Sequence, residues 1–130
     1  MDKIKLILRI IKFNFDPTVI SKNLKLSTSK IWKKGDAYLV PQRIAPYNIW
    51  VYELNIKSIG QLTDETTNLL QILRRNIFFK DNIGSWESEL GIVFELKNNI
   101  TIGINLDTQI LELLHELDMS FDVDIYCLHD

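Results

Sequence analysis

The chain has 130 residues, of which 46% are hydrophobic and 25% charged, and its formal net charge is −2 at pH 7. This composition excludes a disordered or fibrous protein, and the length fits one domain, residues 1–130, with a core of ordinary size. A single cysteine, Cys127, excludes an internal disulfide and suits a reducing compartment. We therefore expect a cytoplasmic protein.

The N-terminal stretch from Ile4 to Phe15 is strongly apolar, but Lys5, Arg9 and Lys12 interrupt it. It is shorter than the roughly 20 apolar residues of a membrane-spanning helix, and no small-residue cleavage site follows it. We therefore expect neither an export signal nor a membrane segment, and no membrane partner.

Charge is distributed unevenly along the chain. Up to Arg43 there are ten Lys or Arg against three Asp or Glu, and from Ile44 onward five against fourteen. A basic arm for nucleic acid is one interpretation. We favour another, in which two halves of one domain attract each other across a shared sheet, because the basic residues are spread along a strand and a helix.

The first elements follow from apolar periodicity. Lys3 to Phe13 is predicted as a strand with alternate apolar residues on one face. Asp16 and Pro17 predict the start of a short helix, because an Asp side chain can accept a free backbone N–H and proline lacks one. Its predicted buried stripe is Val19, Ile20 and Leu24.

After an irregular segment from Ser27 to Pro46, a second strand is predicted over Tyr47 to Ile56. The longest helix follows. Thr63 or Asp64 is its predicted cap, and its leucine spacing continues to about Phe79.

Two alternating stretches, Leu90 to Leu96 and Ile100 to Leu106, predict a hairpin. Both apolar sets share the core face only if Leu96 pairs with Ile100, because a slip of one residue reverses every side chain. This predicts a three-residue loop, Lys97-Asn98-Asn99, with Asn99 left-handed.

The last elements are a third helix, Thr108 to Leu117, which Asp107 caps, and a strand, Ser120 to Leu128. In that strand Phe121, Val123, Ile125 and Cys127 are predicted to face inward, opposite to Asp122, Asp124 and Tyr126. The order β-α-β-α-β-β-α-β predicts an α+β fold, with a single mixed or antiparallel sheet of about five strands and three helices packed mainly on one face.

Asp122 and Asp124 are the nearest candidates for chemistry. Alternate strand residues project from one face about 7 Å apart, a separation that suits a divalent cation or a scissile bond. The sequence supplies no recognisable third group, so we favour a solvated strand face. Lys5 and Arg9 would neutralise the two carboxylates directly if the first and last strands were neighbours.

Other catalytic groupings are not recognisable. His115 lies on the polar side of the third helix and His129 at the C-terminus, without the three or four ligands of a zinc site. Cys127 belongs to the inward set of its strand, and no Gly-rich phosphate loop is present. We therefore predict no catalytic residue, no metal and no cofactor.

The most distinctive local sequence is Trp32-Lys33-Lys34-Gly35-Asp36. An aromatic beside two lysines suits base stacking with a phosphate contact, as in single-strand binders. It also suits a structural turn, in which Trp32 covers the end of the core and Gly35 makes the bend. We favour the structural interpretation, with partner binding as the main alternative.

Several short motifs resemble those of a bacterial domain of unknown function, DUF4279. They are the Asp16-Pro17 to Leu24 helix, the Trp32 to Asp36 loop, the Trp50 strand, the Leu69-Leu70-Gln71-Ile72-Leu73 helix and the Leu117-Asp118 to Asp122-Val123-Asp124-Ile125-Tyr126 segment. The resemblance spans nearly the whole chain. It implies no settled activity and no catalytic residues, but it does imply a small bacterial protein, of which some resemble immunity partners of toxins.

The leading functional hypothesis is a non-enzymatic protein-binding module, in one form an immunity-like protein whose acidic surface masks a basic toxin. The candidate partner-binding residues are Trp32, Lys33, Lys34, Asp36, Trp50, Asp122, Asp124 and Tyr126. The alternatives are nucleic-acid binding through the basic first third and, third, a hydrolase or metal-dependent enzyme at Asp122 and Asp124. The enzyme requires Glu87, Glu89 or His115 near those carboxylates.

Overall fold

A computed structural model describes residues 2–97 and 102–128 of the chain. The elements in chain order are β1 Lys3–Ile11, α1 Thr18–Leu24, β2 Lys30–Trp32, β3 Ala37–Tyr38, β4 Val40–Ile44, β5 Ile49–Ile56, α2 Ile59–Arg75, α3 Ile77–Asn82, β6 Glu87–Lys97, α4 Thr108–Glu116 and β7 Met119–Leu128. None of the helices in these ranges is long and apolar enough to cross a membrane.

Five strands form one mixed sheet in the order β2-β5-β1-β6-β7. All neighbours are antiparallel except β6 and β7, which are parallel. The predicted α+β class with one mixed sheet of about five strands is therefore confirmed.

The core lies on one face of this sheet, which we call the helix face. In the central strand β1 it is lined by Ile4, Leu6, Leu8 and Ile10, all buried, as the alternation predicts. Apolar residues from α1, α2, α3 and α4 join them in one cluster. Helices packed on one face were predicted, and residues 2–97 and 102–128 contain four of them because the longest predicted helix is divided in two.

The long helix begins earlier than predicted. Ser58, not Thr63 or Asp64, is its N-cap, and Ser58 Oγ accepts a 3.1 Å hydrogen bond from the Gln61 N–H. The Gln61 side chain in turn accepts from the Lys57 N–H at 2.7 Å, in an arrangement close to a capping box. The helix also ends earlier, at Arg75, because Asn76 is extended and caps α3 by accepting from the Phe79 N–H.

The predicted Asp107 cap is confirmed, since Asp107 Oδ1 accepts from the Ile110 N–H at 2.9 Å where α4 begins. Asp16 Oδ1 accepts a backbone N–H, that of Thr18, at 2.9 Å, as predicted, but the N-cap position of α1 is occupied by Pro17.

The predicted hairpin is wrong. β6 pairs with β1 on one side and β7 on the other, so neither edge of β6 is left for a strand at 102–106. Residues 102–107 have no regular structure, and α4 lies in the crossover between the parallel strands β6 and β7. Ile102, Ile104 and Leu106 still pack against the core, which accounts for the alternation. The predicted Lys97-Asn98-Asn99 loop falls mainly outside the described residues.

The segment predicted to be irregular contains β2, at one edge of the sheet, and the small β3–β4 sheet. A second apolar cluster joins Tyr38 of β3 to Ile11, Ile49 and Val51 on the face opposite the helices, which we call the open face. The β3–β4 sheet therefore covers the part of the open face that lies nearest β2.

Candidate functional site

The predicted partner-binding residues do not form one surface. Trp32 ends β2, at one edge of the sheet, and Asp122, Asp124 and Tyr126 lie on β7, at the opposite edge. Trp50 lies between them and is fully buried on the helix face, where its indole N–H donates to Ser21 Oγ at 2.9 Å. Trp50 therefore stabilises the core, and we leave it out of the candidate surface.

The loop after Trp32 is closed by its own hydrogen bonds. The Lys33 N–H donates to Asp36 Oδ2 at 2.7 Å, and the Asp36 N–H donates to the Lys33 carbonyl at 2.9 Å. Gly35, with a φ of 96°, makes the left-handed step and donates its N–H to the Ala45 carbonyl. These contacts support the structural interpretation of the loop.

The side chains of the loop are also engaged. The Trp32 ring packs edge-on against Tyr38, with ring centroids 5.0 Å apart. The Lys33 ammonium lies 3.1 Å from Asp16 Oδ2. Thr18, which donates from both its N–H and its hydroxyl, and then Lys33 lower the pKa of Asp16 to about 2. Lys34 is exposed, and its binding role stays a prediction.

Asp122 and Asp124 share the open face at the other edge, as predicted. In the parallel register Asp122 lies beside Gly91 and Asp124 beside Val93 of β6. Both aspartates are exposed. Since β6 separates β1 from β7, Lys5 and Arg9 are not their direct neighbours, contrary to the arrangement considered from the sequence.

Those two cations have other contacts. Lys5 Nζ lies 4.0 Å from Glu53 Oε2 on β5, and an Arg9 guanidinium N–H donates to the Tyr38 hydroxyl at 3.3 Å. Within the described residues, no Lys, Arg or His nitrogen lies within 4.0 Å of either aspartate carboxylate. The open face of β7 is therefore locally acidic.

Glu89 adds to this acidic region from the neighbouring strand. It lies on β6 beside Ser120, two residues before Asp122 on the same face. Partial burial, followed by the negative charge of Asp122, raises the pKa of Glu89; Arg9 opposes the shift and Asp124 adds to it. The three carboxylates form what we call the acidic edge: Glu89, Asp122 and Asp124.

The outer part of β7 also exposes apolar side chains. Ile125, Tyr126 and Leu128 are 53%, 54% and 42% exposed, and Cys127 between them is exposed too. Ile125 and Cys127 have the parity of the helix face, as predicted, since they lie beside Phe94 and Leu96. They are not buried, however, because β7 is an edge strand whose last residues extend past the core that covers Phe121 and Val123.

Of the groups that the enzyme hypothesis requires, Glu89 lies near Asp122 and Asp124, whereas His115 does not. His115 is an exposed residue of α4, and α4 packs on the helix face, so the sheet separates it from the acidic edge. The depression next to Glu89 has a volume of about 40 Å³, far below the roughly 300 Å³ of small ligand pockets. Within residues 2–97 and 102–128, no three His, Cys, Asp or Glu side chains are grouped to hold a metal ion.

The exposure of Ile125 and Leu128, and the position of Glu89 near the aspartates, do not follow from the sequence. Alternation predicts an inward-facing Ile125, because it gives the parity of a strand but not its place in the sheet. Glu89 was considered only as a partner in catalysis. No local signal identifies β7 as an edge strand, because strand order is set by long-range pairing.

Fold and surface together define a small α+β domain with a helix-covered sheet and an acidic, partly apolar edge strand. The model of a family described as a domain of unknown function, DUF4279, matches residues 2–128, nearly the whole chain. The chain therefore belongs to the DUF4279 family. No curated protein and no solved structure matches it.

Proposed function

We propose that the chain is a non-enzymatic protein-binding module and that its partner binds at β7. The observation that carries the proposal is the exposed run Ile125–Leu128 on a strand whose outer edge has no neighbour among the described residues. A long edge strand with exposed apolar side chains is a ready site for pairing with another chain.

The composition of this edge suits a protein interface. The exposed Tyr126 and Leu128 share the open face with Asp122 and Asp124, and the exposed Ile125 lies between Asp124 and Tyr126 in sequence, on the opposite face. Protein interfaces commonly combine an apolar centre with a polar rim, and tyrosine is enriched among their dominant residues. An apolar centre beside carboxylates is thus a better match to a protein than to a small polar substrate.

The proposal also includes a cytoplasmic location and an immunity-like role. A cytoplasmic location is supported by the single, unpaired Cys127, since stable disulfides are rare in reducing compartments. An immunity-like role, in which the acidic edge covers a basic toxin, is one form of the proposed binding, supported by charge complementarity.

The test compares three forms of the chain as immobilised bait for extracts of the native host. Ile125→Lys places a charge among the exposed apolar residues of β7. Ile77→Lys makes the same change at a 72% exposed position on α3 and is the matched control. We expect a protein that binds wild type and Ile77→Lys to be lost with Ile125→Lys, at unchanged thermal stability. Equal capture by all three forms would refute binding at β7.

Nucleic-acid binding is a second candidate, favoured by one observation. A depression of about 670 Å³ at the end of β1 and β5 is lined by Lys3, Lys5 and Lys57. Phosphate contacts from these lysines would give an affinity that falls steeply with salt. Lys33 and Lys34 lie at the opposite end of β5, because Trp32 pairs with Ile49. We expect detectable binding of a single-stranded oligonucleotide at low ionic strength, weakened by Lys3→Glu with Lys57→Glu, while Lys33→Glu with Lys34→Glu tests the loop separately; no binding by wild type would exclude this function.

A further inference from the structure

The outer edge of β7 is long and regular. All ten residues from Ser88 to Lys97 of β6 pair in unbroken register with Met119 to Leu128, so β7 has no bulge in the described residues. Among these residues, β6 is the only strand that pairs with it. The backbone N–H and C=O groups on the far side of β7 can therefore receive a further strand.

Edge strands are usually protected against such pairing by shortness, proline, bulges, lysines or inward-pointing charges. β7 is ten residues long and contains no proline, bulge or lysine. Its charges are Asp122 and Asp124, both on the open face, with Glu89 behind them on β6. Arg9 lies beside Glu89 on β1, but in the described residues no Lys, Arg or His nitrogen lies within 4.0 Å of Asp122 or Asp124. These two carboxylates disfavour an acidic strand beside β7 and attract a basic one.

We propose that β7 pairs along its outer edge with an extended segment of a partner protein that carries Lys or Arg two residues apart. The inference rests on the proposed protein-binding function and specifies the partner. Because strand side chains alternate, the two basic residues would lie beside Asp122 and Asp124 on the open face. The intervening residues would lie beside Val123 and Ile125, and they are apolar because that face continues the core.

A second copy of the chain fits this edge less well. Antiparallel pairing of two β7 strands centred on Val123 places Asp122 opposite Asp124, and pairing centred on Asp124 places that residue opposite itself. Like charges directly opposite each other on a sheet are destabilising. Pairing centred on Ile125 avoids these contacts but covers only residues 122–128 of β7. A partner that pairs along the whole of β7 is therefore expected to be a different protein with a basic strand.

The probes are three ten-residue peptides. The first alternates lysine with valine, the second replaces every lysine by glutamate, and the third is the lysine peptide with alternate backbone nitrogens methylated. We expect the lysine peptide alone to bind the full chain and to perturb the backbone amide signals of β7 in heteronuclear NMR spectra. Methylation removes donors and blocks the approach of the backbone, so binding of the methylated peptide would contradict strand pairing.

Two variants test the chemistry of the edge. Asp122→Asn with Asp124→Asn retains the shape of exposed side chains, and we expect it to weaken the lysine peptide about fivefold, as for two cross-strand ion pairs. The difference in affinity for the lysine peptide between wild type and variant should decrease as salt is added. Unchanged affinity of the variant, or equal binding of the glutamate peptide, would overturn the inference.

The outcomes separate this inference from the proposed function. If Ile125→Lys abolishes capture of the native partner but the lysine peptide does not bind, binding at β7 stands and the basic segment is refuted. If Ile125→Lys captures the partner as wild type does, the function itself is refuted. If wild type sediments as a dimer and Ile125→Lys as a monomer, the edge belongs to a second copy, and the inference is overturned.

Discussion

The Lys12 ammonium donates a 2.7 Å hydrogen bond to Glu87 Oε1, although the two residues lie 75 positions apart in the sequence. The pair joins the end of β1 to the start of β6. Lys5 and Lys30 likewise lie within 4.0 Å of Glu53 on β5. These contacts agree with the favoured interpretation of the uneven charge, in which the basic first third and the acidic remainder attract each other across one sheet.

The first prediction concerns Lys12. Its hydrogen bond to Glu87, with the charge of that residue, raises its pKa above the ordinary 10.5. The stabilisation is fully present below the unfolded-state pKa and is lost as pH rises through the folded-state value. We expect Glu87→Gln to lower the pKa of Lys12, followed through its side-chain NMR shifts. A pKa that does not change would show that the pair is absent in solution.

The second prediction concerns Asp16, whose pKa is lowered from 3.8 to about 2, chiefly by the Thr18 backbone N–H and next by the Thr18 hydroxyl. Ionised Asp16 stabilises the fold fully above the ordinary pKa, and this contribution is lost as pH falls through about 2. We expect Thr18→Ala to raise the pKa only in part, because the backbone donor remains. Carboxyl NMR titration measures it, and a return to the ordinary value would refute the backbone contribution.

The third prediction separates the observed helix cap from the one predicted from the sequence. Ser58→Ala removes the acceptor of the Gln61 N–H and is expected to lower the free energy of unfolding by about 1 kcal/mol. Thr63→Ala is the matched control. Thr63 lies inside α2, where alanine is the better helix former, so we expect no loss. Urea unfolding measures the free energy of unfolding of both variants. A larger loss of this free energy for Thr63→Ala than for Ser58→Ala would contradict the observed start of α2.

The fold class was predictable because each strand reports its buried face through alternation with period two. Lys3 to Phe13 gave the parity of β1 correctly, and the Asp hydrogen bonds at the starts of α1 and α4 were readable from single residues. The cap at Ser58 was also readable, since glutamine follows three positions later. Thr63 and Asp64 compete with it in the sequence, because they are also residues of the capping type and lie closer to the leucine repeat.

The predicted hairpin is wrong because strand pairing depends on long-range contacts, which the local sequence does not reveal. An extended segment that packs alternate residues on the core has the same pattern as a strand, and Ile102 and Ile104 do this without pairing. Whether such a segment pairs depends on whether a neighbouring edge is free. β1 and β7 occupy both edges of β6, and only the complete pairing order reveals this.

The candidate surface was half predictable for the same reason. The common face of Asp122, Asp124 and Tyr126 follows from spacing within one strand. The burial of Trp50 and the exposure of Ile125 depend on where each strand lies in the sheet. Central strands bury their apolar face completely, whereas the end of an edge strand extends beyond the helices.

The last prediction concerns Glu89, whose pKa is raised chiefly by partial burial and then by Asp122. A raised carboxyl pKa means that ionisation is less favourable in the folded state. The resulting destabilisation is absent below the unfolded-state pKa, develops as pH rises through it, and is complete above the folded-state value. Glu89→Gln is therefore expected to raise the melting temperature at pH 7 and to have little effect at pH 3.

Glu95→Gln is the control, because Glu95 lies on the same strand and face, farther along β6 beside Tyr126. We expect a smaller change at pH 7 from this variant. If Glu89→Gln instead lowers the melting temperature at pH 7, its carboxylate stabilises the fold, and the acidic edge is part of the fold's own charge balance. A stabilised Glu89→Gln that also binds the lysine peptide more weakly would show that this carboxylate is kept for binding at a cost in stability.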